Sequence, residues 1–343
     1  MSRILAIDYL TSKGHRNFNK IHIDSLVELG NSVHLVGREE AFSLVKKSSH
    51  LKKTILPRWA SLNYPFRAFT ERLKGIFCML WLHKNFNFNN YDYVLFLSYD
   101  ILSLFVLRSK YKFLLINHNN VSQLDNKIKL FLTRTLPSNY LHIALSHDMK
   151  MRLEDLLSKN KIYFIPHGYE PSSPYIKKPS LLGEGDRFIF CGINNNYDMD
   201  FIENVIKTNE LNNYLKSRCI KLLIKKKMLS DTMLSQIISF DNNITDEEYN
   251  FLIQKSIAVL LPYSNKFKYR CSGMLFECIA AEKPVIATNI QSMQCYRNKM
   301  NIFFFSNTEE LITCIDKCSG TLNSYDYSIF APLKYWHELL SIC

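Results

Sequence analysis

Residues 257–288 read IAVLLPYSNKFKYRCSGMLFECIAAEKPVIAT. Ile257 to Pro262 is a β-branched and leucine run suited to a strand buried on both faces, and Pro284 to Thr288 is another. Between them, Ser272 to Ala281 has helical composition, with Ser272 as the N-cap and Gly273 permitting close backbone approach. Parallel strands joined through a helix make an open α/β sheet, and such sheets bind ligands at the strand-to-helix turns.

The polar residues in this stretch come in an order that suits a phosphorylated ligand. A helix N-terminus offers free N–H groups and a partial positive charge, so a diphosphate fits at Ser272 and Gly273, with Arg270 supplying a guanidinium fork. Glu277 follows about one turn further in, where a carboxylate can accept hydrogen bonds from two vicinal hydroxyls such as those of a ribose. Taken singly, each has a plainer reading: Arg270 as a surface charge, Ser272 as a cap, Glu277 as a solvated helix residue. Two features favour the ligand reading for the group, namely the apolar neighbours of Glu277 and the position of the turn.

The segment resembles the signature of glycosyltransferase family 4, a GT-B group that moves a sugar from a nucleotide sugar to an acceptor. The resemblance rests on Ser272, Gly273, Glu277, Cys278 and Lys283 to Ile286, and it implies that Glu277 binds the nucleotide ribose, with Met274 beside it on the donor. The commonest family pattern carries an earlier glutamate that contacts the donor sugar; that position is Tyr269 here, and Lys268 to Gly273 fit a YxxRxSG-like variant better. Glu282 stands where glycine is usual before KPVI.

Composition sets the frame. At 343 residues the chain suits two domains, and 47% apolar with 22% charged residues is an ordinary globular balance. No run of about 18 apolar residues predicts a transmembrane helix, and MSRILAIDYL reads as a first buried strand rather than a secretory signal. The nine cysteines lack paired spacing and read as free thiols of a reducing cytoplasm; no Cys/His cluster predicts a metal site.

Charge is unevenly placed. Of the net +12, residues 1–170 carry 24 Lys+Arg against 13 Asp+Glu, or +11, leaving +1 for the remainder. Between Arg38 and Lys84 ten basic residues face three acidic ones, interleaved with Trp59, Tyr64, Phe66, Phe69, Phe77 and Trp81. Phe66, Phe69, Leu73, Ile76, Phe77, Leu80 and Trp81 fall at helical spacing, an amphipathic helix whose apolar stripe faces either the core or an anionic membrane surface. No nucleic-acid-binding motif accompanies the charge, so no nucleic-acid partner is expected.

The first half alternates short apolar runs with helical patterns: RILAID, NSVHLVG, YDYVLFLS, KFLLINH, LHIALS and KIYFIP are the expected strands. Gly14 and His15 lie in the loop after the first, and Gly30 ends the next helix. His118 and Asn119 follow FLLIN, at a strand end that should open on a cleft, and the family places a similar pair near the reacting sugar. An isolated histidine is more often structural than catalytic. His167 and Gly168 resemble the family's IPHG junction.

Linker composition after that junction divides the chain into 1–170 and 171–330, with the last helix, 331–343, expected to cross back onto the first domain. In the second half RFIFCGI and IKLLIKK are strands, and Thr245 with Glu248 forms a capping box. The family's basic residue after the first of these strands is missing; Lys225, Lys226 or Lys227 is the substitute, unless the run is simply solvated.

The expectation is thus an α/β GT-B architecture of two Rossmann-like domains whose parallel sheets face a central cleft. The resemblance implies a metal-independent, retaining transfer from a nucleotide diphosphate sugar to a glycan or undecaprenyl-diphosphate-linked acceptor. A cytoplasmic enzyme of surface polysaccharide synthesis (O-antigen or capsule), peripheral on the inner face of the membrane, fits best. His118 and Arg270 are its expected catalytic residues, Ser272, Gly273, Met274, Glu277, Tyr269 and Lys225 its donor contacts, and Gly14, His15 and Asn119 its acceptor side. A non-catalytic GT-B binding protein and a nucleotide-sugar epimerase are the alternatives.

Overall fold

Parallel strand pairing organises both halves of the chain. The structure, a computed structural model, describes all residues except 11–14, 62–66, 107–110, 158–159, 172, 175, 193–196, 198, 226–234, 241–243 and 343. It comprises two units: Met1–Gly168 with Tyr269–Cys271 and Phe330–Cys343, and Tyr169–Lys268 with Ser272–Ile329.

In the first unit, β1 (Arg3–Asp8), β2 (Ser32–Gly37), β3 (Leu51–Ile55), β4 (Tyr93–Ser98), β5 (Phe113–Asn117), β6 (Leu141–Ala144) and β7 (Ile162–Phe164) form one parallel sheet in the order β3-β2-β1-β4-β5-β6-β7. The order reverses between β1 and β4, and that reversal opens a crevice at the carboxyl ends of the two strands. Helices α1 (Arg16–Glu28), α2 (Arg67–Asn85), α3 (Ile101–Val106), α4 (Asn120–Gln123), α5 (Lys127–Arg134) and α6 (His147–Leu156) supply the connections. Both faces of the sheet are covered, since Ile4 and Ala6 of β1 enter one core and Leu5 and Ile7 the other. That is why β4 and β5 are apolar without alternation.

The second unit repeats the plan. Its strands β8 (Arg187–Cys191), β9 (Ile220–Lys225), β10 (Ile237–Phe240), β11 (Val259–Leu261), β12 (Val285–Thr288) and β13 (Ile302–Phe305) run in the order β10-β9-β8-β11-β12-β13, again parallel. The helices are α7 (Met199–Ile206), α8 (Asn209–Ser217), α9 (Asp246–Lys255), α10 (Gly273–Ala280), α11 (Gln291–Gln294) and α12 (Thr308–Cys318). The Thr245–Glu248 capping box opens α9. Last in the chain, α13 (Pro332–Ile342) packs against α1, with Trp336 fully buried and its indole N–H donating to His22 Nδ1 at 3.0 Å.

The structure goes beyond the sequence at two points. Strands β3, β10 and β13 were absent from the sequence reading; β3 is an edge strand whose Lys52 and Lys53 are exposed, a pattern that blunts an edge and hides the strand. The α2 stripe, open in sequence between the core and a membrane surface, is not a core face as a whole: Leu73, Phe77 and Leu80 are exposed, Ile76 and Trp81 are half-buried, and the buried side carries Lys74, Cys78, Met79 and Leu82. Phe66 lies outside the described residues.

One core residue gives the unit an acid limit. His142 on β6 is fully buried, neither ring nitrogen has a hydrogen-bond partner among the described residues, and burial lowers its pKa to about 4. Above the ordinary histidine range neither folded nor unfolded chain holds a proton there. As pH falls from about 6.5 to about 4 the unfolded chain takes one and the folded chain refuses it, so stability is lost across that window, by up to about 3 kcal/mol for this residue. His142→Leu should flatten the decline in chemical-denaturation stability between those pH values; an unchanged slope would assign the acid limit elsewhere.

Candidate functional site

In the second unit the carboxyl ends of β8 and β11, where the strand order reverses, meet the N-terminus of α10. Ser272 caps this helix, accepting from Leu275 N at 3.2 Å, and its hydroxyl shares a 2.6 Å hydrogen bond with that of Tyr263 just beyond β11. Tyr263 is itself fixed: its carbonyl accepts from Thr288 Oγ1 at 2.7 Å and its ring stacks on Phe267 at 3.9 Å. The cap is therefore held from two neighbouring strands. The other N–H groups of the first turn have no intrahelical acceptor, which leaves them for an anion.

Glu277 is half-buried one turn on. The Tyr249 hydroxyl of α9 donates to its Oε2 at 2.6 Å and lies 2.9 Å from Met274 Sδ, so Met274 and Glu277 form one surface with Tyr249 between them. Burial raises the Glu277 pKa, and the Tyr249 bond works against the rise by favouring the charged form. Burial and the adjacent carboxylate push the Tyr249 hydroxyl far up, so it stays a donor.

Gly192, directly after β8, explains itself by crowding. A Cβ there would lie 2.7 Å from Tyr197 Oη and 3.0 Å from both Leu261 Cδ2 and Met274 Cε. Gly192→Ala is expected to destabilise this unit by about 1–3 kcal/mol in denaturant melts. Because Tyr197 Oη is buried without a partner among the described residues, adding Tyr197→Phe should recover part of the loss; a Gly192→Ala protein as stable as wild type would refute the packing account.

In the first unit, His15, Phe18, His118 and His167 gather near the carboxyl ends of β1, β4 and β5. The His15 and His118 rings are 4.3 Å apart, and Phe18 lies 4.4 Å from His118 and 4.9 Å from His167. His118 Nε2 faces the Leu97 carbonyl at 3.0 Å; a carbonyl only accepts, so the proton is on Nε2 and Nδ1 is left as an acceptor. Burial, with His15 and His167 adding to it, holds the His118 pKa well below the usual value, and burial brings His167 to about 4 and His22 to about 3. The cluster is neutral at physiological pH. Beside it the buried Asp8 accepts from Asn19 Nδ2 at 2.8 Å and from Ser98 Oγ, tying the end of β1 to that of β4.

Tyr269 to Cys271 also pack with the first unit. Arg270 Nε donates to Ser122 Oγ at 3.1 Å, the Arg152 guanidinium lies 5.3 Å from the Tyr269 ring centroid, and Tyr269 has a positive φ of 56°.

No family model and no curated protein matches the chain. Solved structures do. The apo lipopolysaccharide outer core galactosyltransferase WaaB aligns over 99% of this chain and 100% of its own, at 14% identity and a TM-score of 0.59. Anabaena Alr3699/HepE in complex with UDP and glucose covers 99% and 95%, at 14% identity and a TM-score of 0.57. A trehalose-6-phosphate synthase studied with bisubstrate glycomimetics for glycosyl transfer with retention covers 99% and 95%, at 11% identity and a TM-score of 0.61.

The fold is GT-B.

Within this GT-B chain the sequence-derived Ser272, Gly273, Met274 and Glu277 come together on α10, and Lys225 ends β9. Gly14, Lys226 and Lys227 lie outside the described residues. His15 and His118 are joined in one cluster; Asn119 is exposed at the start of α4 without capping it. Arg270 and Tyr269 belong with the first unit rather than with the turn that follows them in sequence. Tyr249, Tyr263, Phe18 and Asp8 were missed. Only Asp8, a carboxylate ending an apolar strand, carried a signal that could have marked it.

Proposed function

We propose that the chain is a glycosyltransferase that takes a sugar from a nucleotide diphosphate sugar and transfers it to a glycan or lipid-linked glycan. The observation that carries this reading is the Glu277 carboxylate, held by Tyr249 one turn inside a helix whose capped N-terminus sits at a strand-order reversal. Glu277 accepts the two ribose hydroxyls, and the first-turn N–H groups at Ser272 and Gly273 receive the diphosphate. As the glycosidic bond to phosphate breaks, charge grows on the departing diphosphate, and the helix terminus stabilises it. His118, neutral with an accepting Nδ1, binds a sugar hydroxyl rather than acting as a cation.

The finer reading follows the family 4 resemblance: retention at the anomeric carbon, no metal, and an undecaprenyl-diphosphate-linked acceptor in surface polysaccharide synthesis. The protein then works in the cytoplasm, with an anionic membrane surface as partner of its basic first domain. Among the described residues no helix is long and apolar enough to cross a membrane. Tyr269, in place of the usual glutamate, and the lack of a basic residue directly after Gly192 are what favour a non-catalytic binding protein.

Incubation with UDP-, GDP-, dTDP- and ADP-hexoses, a lipid-linked glycan fraction and chelator separates these readings. Acceptor-dependent release of one nucleoside diphosphate with a matching gain in acceptor mass is expected. Release without acceptor gain, or interconversion of the nucleotide sugar, would replace transfer with hydrolysis or epimerisation.

A further inference from the structure

The first unit exposes much of the apolar stripe whose destination the sequence left open between core and membrane. On α2, Leu73, Phe77 and Leu80 are 38%, 58% and 45% exposed, and with Lys84 they recur at a helical period along one line. Ile76 and Trp81 flank the line half-buried. The opposite side of the same helix is fully committed to the interior through Lys74, Gly75, Cys78, Met79 and Leu82. Gly75 shows how closely it is seated, since a Cβ there would come 2.7 Å from Ser103 Oγ of α3. The outward stripe is thus not a core face waiting to be turned in.

A second exposed pair extends it. On α5, Ile128 and Phe131 are 70% and 64% exposed, and α3 packs against both α2 and α5. Arg72 of α2 and Lys129 of α5 lie within electrostatic reach of each other. Exposed Arg72 and Lys84 border the α2 stripe, and exposed Lys127 and Arg134 border the α5 pair. Single exposed apolar side chains are ordinary, but a run of them along one helix face rimmed by basic residues marks an interaction surface.

The structure assigns this face of α2 and α5 as a lipid-docking surface, in which Phe77, Leu80, Ile128 and Phe131 enter the interface of an anionic bilayer and the surrounding Arg and Lys meet its headgroups. The charge decides the occupant. Residues 1–170 carry +11, so a second copy of the chain laid on this face would oppose cation to cation, whereas an anionic leaflet attracts it. Aromatic and leucine side chains rimmed by basic residues satisfy both halves of an interfacial site, apolar depth and headgroup charge. This inference deepens the membrane part of the proposed function and does not require that transfer occurs.

The test is co-sedimentation of the full chain with phosphatidylcholine vesicles, with and without about one-third phosphatidylglycerol. Binding is expected only with the anionic lipid. Phe77→Ser with Phe131→Ser should weaken it at least about tenfold at low salt, and Arg72→Gln with Lys127→Gln should weaken it and reduce its salt dependence. Thermal unfolding and nucleoside diphosphate binding of each variant are read on the same samples. A variant that keeps nucleotide binding but loses vesicles isolates the docking face; one that loses vesicles and its melting transition together is discarded in favour of the charge pair, which leaves the apolar side chains in place. Equal sedimentation of wild type and both variants would overturn the assignment. So would no binding to anionic vesicles, or concentration-dependent self-association of the wild type that Phe77→Ser abolishes.

Discussion

On the proposed donor site, Glu277→Ala is expected to bind a nucleoside diphosphate roughly 30- to 150-fold more weakly than wild type, about 2–3 kcal/mol, the loss of a charged acceptor from two hydroxyls. Unfolding controls are needed because the substitution also takes from Tyr249 its carboxylate partner and leaves the part-buried hydroxyl only the weak acceptor Met274 Sδ, at a cost of about 1 kcal/mol of stability. Tyr249→Phe resolves the two effects. It keeps the Glu277 carboxyl but removes the bond that favours its charged form, so the pKa, already raised by burial, rises further. Affinity in Tyr249→Phe should then fall at a higher pH than in wild type as acid titrates the carboxylate, whereas Glu277→Gln should bind with little pH dependence below neutrality. If Glu277→Ala binds as tightly as wild type, the carboxylate is structural and the ribose assignment fails.

The second large effect is on stability. Trp336 is the largest fully buried side chain, near the C-terminus, and it joins α13 to α1 through van der Waals contact and the bond to His22. Trp336→Ala is expected to destabilise the first unit by about 3–5 kcal/mol in denaturant unfolding. Trp336→Phe keeps most of the ring contact and should cost less, mainly by leaving His22 Nδ1 without its donor. His22 is held neutral, at a pKa of about 3, while its Nε2 proton goes to the His167 carbonyl at 3.0 Å. A Trp336→Ala protein with wild-type stability would mean that α13 is detachable.

What the sequence discloses tracks how much of an element's reason lies within itself. Strands β4, β5 and β6 are buried on both faces and read as unbroken apolar runs, so they were legible. The edge strand β3, LKKTI, carries two exposed lysines and looks like a loop. Strand β10, four residues at the other sheet's edge, is as faint. The amphipathy of α2 was visible, but periodicity cannot say which side meets the core, and its buried side includes a lysine and a glycine.

The site divides in the same way. Ser272 as a cap and Glu277 among apolar residues follow from local rules. The partner that orients Glu277 is Tyr249, 28 residues earlier, and Arg270 finds Ser122 at a separation of 148; no window of sequence holds either pair. His142 is hidden in LHIA for the opposite reason, since a histidine with no hydrogen-bond partner among the described residues gives a motif search nothing to find.

The central claim is that the second unit is a nucleotide-diphosphate site built on α10. Calorimetric titration of the wild-type chain with UDP, GDP, dTDP and ADP in the presence of chelator tests it most directly. Saturable binding of one of them, weakened by at least about tenfold when the matching nucleoside monophosphate is used, is the expected result, because the helix N-terminus should meet both phosphates. Absence of binding by all four would contradict the claim.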